Sequence, residues 1–246
     1  MSMRLWQVRR HWDLFARKDP LWAVLVAPGK EGNRWALDEF FATGQNEVDA
    51  AMATIRTHLP GAGRRRALDF GCGVGRLTQA LAHHFDHVTG VDISTDMLAH
   101  ARRHNRHGNR VDFQHNPTNH LGRFDDGAFD LVFSLITLQH VAPEYSRRYL
   151  AEFMRICAPG GAVYFQITAR TARPARRSWY PPTVAKKIWR RINGFLLLQP
   201  TMEMHSLPRA GVESVIRAAG GEIVSVDSRH GAGTAFESCV YLARRA

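Results

Sequence analysis

From Arg66 onward, short apolar runs alternate with segments of helical spacing. Residues 67–70, 88–91, 111–113, 131–135 and 162–168 have the β-rich, nearly continuous apolar character of buried strands, and the stretches between them suit helices. Strands that are apolar throughout bury both faces, so the alternation predicts βαβ units and a parallel sheet covered on both sides. Ahead of this the pattern is helical. Residues 36–43 and 45–59 carry Phe41, Val48, Met52, Ile55 and Leu59 at helical spacing, ended by Pro60 and Gly61. Ser94 is placed to cap a helix running to about residue 105, and Ser206, before Leu207 and Pro208, to cap one that stops ahead of Gly220-Gly221. Two last strands, 222–227 and 238–243, flank the turn Gly231-Ala232-Gly233 and predict a hairpin that adds an antiparallel strand at the edge.

Composition narrows the class. The chain has 246 residues, 45% of them hydrophobic, enough for a full core and unlike a disordered chain. Three cysteines, Cys72, Cys157 and Cys239, are too few for a disulfide scaffold, and a reducing cytoplasm is the expected compartment. The longest apolar runs, 21–27 and 195–198, fall far short of the ~20 residues that span a bilayer. The basic start lacks the apolar core of a signal peptide, so a soluble protein is expected.

Charge is uneven along the chain. The net +11 divides into +4 over residues 1–66, −1 over 67–168 and +8 over 169–246. Residues 169–202 hold eight bases and no acid, and 184–198 place Val184, Ile188, Ile192 and Phe195 at helical spacing around Lys186-Lys187 and Arg190-Arg191. That is a basic amphipathic helix. Such a helix suits a lid over an anionic or amphiphilic molecule, a membrane surface, or nucleic-acid phosphates, and the accompanying Trp and Phe favour the first two. The stretch 169–205 fits nowhere in the strand–helix alternation and reads as an insertion.

The most specific motif is Asp69-Phe70-Gly71-Cys72-Gly73-Val74-Gly75, between an apolar strand and a helical run. Alternate glycines let the backbone turn sharply and approach a ligand. The dinucleotide fingerprint needs a third glycine where Arg76 stands, and a phosphate-cradling Walker loop lacks its Gly-Lys-Ser/Thr ending. Asp69 at the end of the first strand suits a cationic ammonium group, and Asp92, closing the second, suits both hydroxyls of a ribose.

With these residues the chain resembles the class I S-adenosylmethionine-dependent methyltransferases, over roughly 67–168 and the last two strands. The resemblance implies a Rossmann-like doubly wound seven-stranded α/β sheet, mostly parallel with an antiparallel edge hairpin. It divides the chain into an N-terminal helical extension, 1–66, and a methyltransferase domain, 67–246. S-adenosylmethionine is the implied cofactor, held by Asp69, Gly71, Cys72, Gly73, Gly75 and Asp92, with Ile93 and Met97 around the adenine. Asn116, beside Pro117, stands where the family often has an adenine-binding Asp, and Ser134 falls near the methionine end. Leu138-Gln139-His140-Val141 resembles the segment after the fourth strand, and Ala158-Pro159-Gly160-Gly161 the turn into the fifth.

A sulfonium donor is already activated, so the protein has to align the acceptor and, for some acceptors, remove a proton. His140 is the general-base candidate, against a packing role in its loop; His205 and Tyr180 are weaker candidates. Ser134-Leu135-Ile136-Thr137 occupies the place of the Pro-Pro-aromatic tetrad of DNA-type enzymes, and no cysteine between Cys72 and Cys157 offers a nucleophile for pyrimidine methylation. No histidine spacing indicates a metal site. The expected acceptor is a small or lipid-like molecule, an anionic one included, with peripheral membrane contact through the insertion. An RNA methyltransferase and a non-catalytic cofactor-binding module are the alternatives. The aromatic segment 35–44 is read two ways, as a cover over the cofactor cleft or as a helix packing on the sheet's flank.

Overall fold

A computed structural model describes residues 4–171, 200–229 and 236–246. Seven strands form one sheet: β1 Arg66–Phe70, β2 His87–Asp92, β3 Val111–His115, β4 Phe129–Ser134, β5 Cys157–Thr171, β6 Gly221–Arg229 and β7 Phe236–Arg245. Their order is β3-β2-β1-β4-β5-β7-β6. The first five are parallel, and β7 runs antiparallel to both β5 and β6. The expected antiparallel pair is therefore present, with β7 on its inner side and β6 at the edge. The turn 231–233 lies outside the described residues.

The chain builds outward from β1 to β2 and β3, then crosses back to place β4 against the other side of β1. Connections leave in opposite directions from the carboxyl ends of β1 and β4, which opens a crevice at this switch point. Alternate strand residues feed two cores. Ala67, Leu131, Phe133, Tyr164 and Leu242 pack with Val48, Met52, Ile55 and Leu81 on one face. Leu68, Val132, Phe165 and Tyr241 pack with Tyr149, Phe153 and Ile216 on the other.

The helices are α1 Leu5–Lys18, α2 Pro20–Val24, α3 Leu37–His58, α4 Arg76–Leu81, α5 Thr95–Arg103, α6 Pro143–Ile156 and α7 Arg209–Ala218. The two helices expected over 36–59 are one, α3, running straight through Gly44. A Cβ at Gly44 would lie 2.5 Å from the Arg76 carbonyl oxygen, so this glycine serves the close approach of α3 to α4 rather than a break. Ser94 caps α5 as expected, its Oγ accepting the Met97 N–H at 3.1 Å. Ser206 does not cap α7. The Leu207 N–H donates to Thr168 O at 2.9 Å and its side chain is buried, which holds this stretch out of the helix until Arg209.

α1 is fixed across the carboxyl end of the sheet by polar contacts to α5. Ser94 Oγ donates to Asp13 at 2.7 Å, Arg17 pairs with Asp96 at 2.5 Å, and the His100 ring reaches Ala16 O at 3.1 Å. The buried Asp19 caps α2 through Trp22 N–H and accepts the Gly32 and Asn33 amides at 2.7 and 2.8 Å, shaping the hook that follows α1. Of the expected insertion 169–205, the first three residues extend β5 and 200–205 run beside the sheet's carboxyl end; the basic helix 184–198 and Tyr180 lie outside the described residues. No helix among the described residues is long and apolar enough to cross a membrane.

Candidate active site

A cleft of about 920 Å³ of empty space, including its solvent-filled mouth, opens at the switch point. One part is built from the loop after β1 and the end of β2: Phe70, Gly71, Cys72, Gly73, Asp92, Ile93 and Met97, with Asn116 from the end of β3. Leu5, Val8 and Trp12, which share one face of α1, line it together with Val24, Ile136, His140, Val141 and Tyr149.

The glycine loop is held by its own backbone. Gly71 and Cys72 N–H both donate to Val91 O at 2.8 and 3.0 Å, which ties the tip of β1 to β2. Gly71 has φ +75°, and a Cβ there would lie 2.1 Å from Thr137 Cγ2. Asp92 accepts Gly73 N–H at 2.9 Å on one oxygen and Ser94 N–H at 2.8 Å on the other. Burial, with the nearby Asp13 adding to it, raises the Asp92 pKa to about 6 against these two donations. Each oxygen keeps a lone pair beyond its backbone donor, the requirement for accepting two vicinal hydroxyls. Asn116 accepts Thr118 Oγ1 at 2.9 Å and retains acceptor capacity on its carbonyl.

Four expected cofactor residues do not open onto the cleft. Asp69 is buried beneath the loop and accepts Thr78 Oγ1 at 2.6 Å. Burial raises its pKa to about 7, countered by Thr78 and Arg76. It tethers β1 to α4, so the ammonium-binding role expected from its position has no geometric basis here. Ser134 is fully buried and spends its hydroxyl on Phe70 O at 3.0 Å, tying β4 to β1. Gly75 precedes α4 with φ +83°, facing Phe113, and Pro117 is exposed. Gly71, Cys72, Gly73, Asp92, Ile93, Met97 and Asn116 do line the cleft. Cys72 has its thiol pushed up by burial and is a packing residue.

His140 lies in the cleft wall, in a single 3₁₀ turn, Leu138–His140. Its Nδ1 bonds to Glu203 O at 2.9 Å, and since a carbonyl only accepts, Nδ1 carries the proton. Nε2 is then the acceptor and receives the Gln139 amide at 3.1 Å. Burial lowers the His140 pKa to about 4, with His205 adding to the effect, so the ring is neutral near pH 7. The Trp12 ring meets it edge-on at 5.5 Å.

The α1 wall and Tyr149 were not found from sequence, because α1 carries no motif and its spacing does not say what it faces. Ile136 was missed as well; it is a β-branched residue at φ +62°, a costly backbone state that sets the turn after β4 at the cleft. No residue of the aromatic segment 35–44 lines the cleft; Trp35 and Phe40 pack with Val74 and with Val24 and Met97, which do. His205 pairs with Glu203 at 3.1 Å, and no cluster that fits a metal ion occurs among the described residues.

Residues 67–161 match the family model for a methyltransferase domain. The ubiquinone biosynthesis O-methyltransferase of Nitrosococcus oceani is 36% identical over 120 residues, 48% of this chain and 50% of that protein. The corresponding protein of Methylococcus capsulatus is 36% identical over 123 residues, 50% of this chain and 51% of that one. The matched region thus spans about half the length of these curated relatives. Among solved structures, magnesium protoporphyrin IX methyltransferase from Synechocystis PCC 6803 with bound SAH aligns with a TM-score of 0.65 at 19% identity, over 98% of this chain and 99% of that one. The [4+2]-cyclase SpnF aligns with a TM-score of 0.64 at 18% identity, over 99% and 97%. At such identities these two likenesses show the fold alone. Residues 67–161 thus match a methyltransferase domain, and the fold of the whole chain is like that of the aligned methyltransferase structure.

Proposed function

We propose that this chain transfers the methyl group of S-adenosylmethionine to an oxygen of a small, largely apolar acceptor. The observation that carries the reading is one cleft with two chemistries. Asp92, Asn116 and the Gly71–Gly73 backbone give polar recognition, while Leu5, Val8, Trp12 and Val141 give an apolar wall containing His140. When bound, the donor supplies a methyl group already activated on a sulfonium centre. Asp92 would accept the ribose hydroxyls, Ile93 and Met97 would enclose the adenine, and the carbonyl of Asn116 would accept its amino group. The apolar wall excludes water and aligns the acceptor. His140 Nε2 takes the acceptor hydroxyl proton after the Gln139 amide gives way, and Glu203 O stabilises the proton already on Nδ1.

The O-methyltransferase names of the curated relatives support oxygen as the acceptor atom. A lipid-like or anionic acceptor and peripheral membrane contact belong to the same proposal, supported by the eight bases and absent acids of residues 169–202; so does a cytoplasmic location, supported by the three free cysteines. Calorimetry with S-adenosylmethionine and S-adenosylhomocysteine tests the donor half: binding by the wild type and its loss in Asp92→Ala are expected, and the reverse of either overturns it. A labelled methyl donor added to an extract of the source cells tests the acceptor half. A labelled small molecule or lipid supports the proposal, and labelled RNA overturns it.

A further inference from the structure

Residues 200–207 form a strap beside the cleft, joined to neighbouring elements by four hydrogen bonds among the described residues. The Thr201 N–H donates to His11 Nδ1 at 3.0 Å, and His140 Nδ1 donates to Glu203 O at 2.9 Å. The His205 N–H donates to Gln139 O at 2.7 Å and the Leu207 N–H to Thr168 O at 2.9 Å. Two of the four use a buried imidazole, in opposite senses. Toward Glu203 the His140 ring is the donor. Toward Thr201 the His11 ring is the acceptor, because a backbone N–H only donates, so His11 Nδ1 carries no proton. His11 is 4% exposed and precedes Trp12, the α1 residue whose ring meets His140. One bond therefore joins α1 to the strap, and the other joins the strap to His140.

We propose that His11 is a positioning residue of the acceptor half of the cleft: its unprotonated Nδ1 holds Thr201, the strap so held orients His140, and protonation of His11 releases both. The link to catalysis rests on the methyl-transfer reading, whereas the clasp itself does not. Protonation would turn Nδ1 into a donor facing a donor at 3.0 Å, and the bond would fail. The charged groups facing His11 are Glu203 from the strap, which favours its cation, and Arg10 from its own helix, which disfavours it. Burial exceeds both and holds the ring below the ordinary histidine range. At the other end of the strap, His140 faces His205, which also disfavours a cation. The clasp is closed at neutral pH and opens on acidification.

Amide hydrogen exchange of residues 201–207 in the full chain, expressed as protection relative to intrinsic rates, tests this at about pH 7.5 and about pH 5. Wild type should lose roughly tenfold protection at the lower pH. His11→Ala should lack that protection at both. His11→Asn, whose side-chain carbonyl accepts in the same place without titrating, should keep it at both. Nitrogen-15 imidazole spectra of the same samples should show His140 as a single Nδ1–H tautomer in wild type and as a mixture in His11→Ala. PH-independent wild-type protection overturns the proposal, as does a His11→Ala strap and His140 signal like those of wild type. Should His11→Ala unfold, the Asn variant decides: acid loss of protection that persists in it sinks the clasp. Calorimetry with S-adenosylhomocysteine separates the two readings, since absent binding by wild type overturns methyl transfer and leaves the exchange result standing.

Discussion

The imidazole of His140 donates from Nδ1 to the carbonyl of Glu203, 63 residues further along the chain, at 2.9 Å. This bond fixes the tautomer and favours the cation, but burial outweighs it and keeps the ring neutral. Its folded pKa of about 4 lies below the 6.5 of a free histidine, so the unfolded chain takes up the proton first as pH falls. The contribution to stability is complete above pH 6.5 and is lost by about pH 4, an upper bound of about 3 kcal/mol. Urea denaturation of wild type and His140→Gln across this range should show the wild type losing more stability. For catalysis, His140→Gln should lower kcat roughly 100- to 10,000-fold with donor affinity unchanged.

Asp92 carries the prediction for the donor. With its pKa raised to about 6, it accepts hydroxyls as a carboxylate above that value and loses one acceptor on protonation below it. Affinity for S-adenosylhomocysteine should be flat above about pH 7 and fall toward tenfold per unit well below pH 6. Asp92→Asn should bind roughly 100-fold more weakly and lose this pH dependence, both read by calorimetry.

Asp69 should act on stability rather than on binding contacts. Its folded pKa of about 7 lies above the unfolded 3.8, so its contribution is favourable only at acid pH and is lost as pH rises through 7. Asp69→Asn removes the charge, and its stability relative to wild type should improve by roughly 3–4 kcal/mol between about pH 4 and pH 8, whatever its offset. Parallel denaturation curves with no change in that difference would show that Asp69 does not titrate as described.

Gly71→Ala forces a residue with a Cβ into φ +75° and against Thr137. A loss of about 2–4 kcal/mol is expected, together with loss of donor binding. Adding Thr137→Ala removes the atoms nearest the new methyl group, and a double-mutant cycle should return a coupling of roughly 1 kcal/mol.

Trp12 tests the division of the cleft. Trp12→Ala should leave S-adenosylhomocysteine affinity within about twofold while acceptor KM rises roughly ten- to a hundredfold, because only the α1 wall loses its aromatic surface.

Strand positions and parallel order were legible because strands apolar throughout must be covered on both faces, and a continuous run such as Leu131-Val132-Phe133 leaves one arrangement. The donor side was partly legible for a local reason. The loop Gly71–Gly73 and the strand-end Asp92 follow directly from backbone geometry at strand tips. Which end of a side chain meets a cleft is another matter. Asp69 and Ser134 stand at strand tips too, yet Thr78 and the Phe70 carbonyl turn them inward, and alternation along a strand does not record which partner waits beneath it.

The sequence by itself determined the strands, their parallel sense and the glycine turn, since these follow from periodicity and local sterics; the doubly wound order entered only through the family resemblance. Only the tertiary structure decided what faces the donor side. Leu5, Val8 and Trp12 form an amphipathic stripe that fits any apolar surface, and contacts such as Asp13 with Ser94 set it over this one. The tautomer of His140 likewise depends on Glu203, and the protonation of His11 on Thr201. Hydrogen bonds between residues far apart in the chain leave no periodic trace in it; they exist only once the sheet has brought their partners within 3 Å.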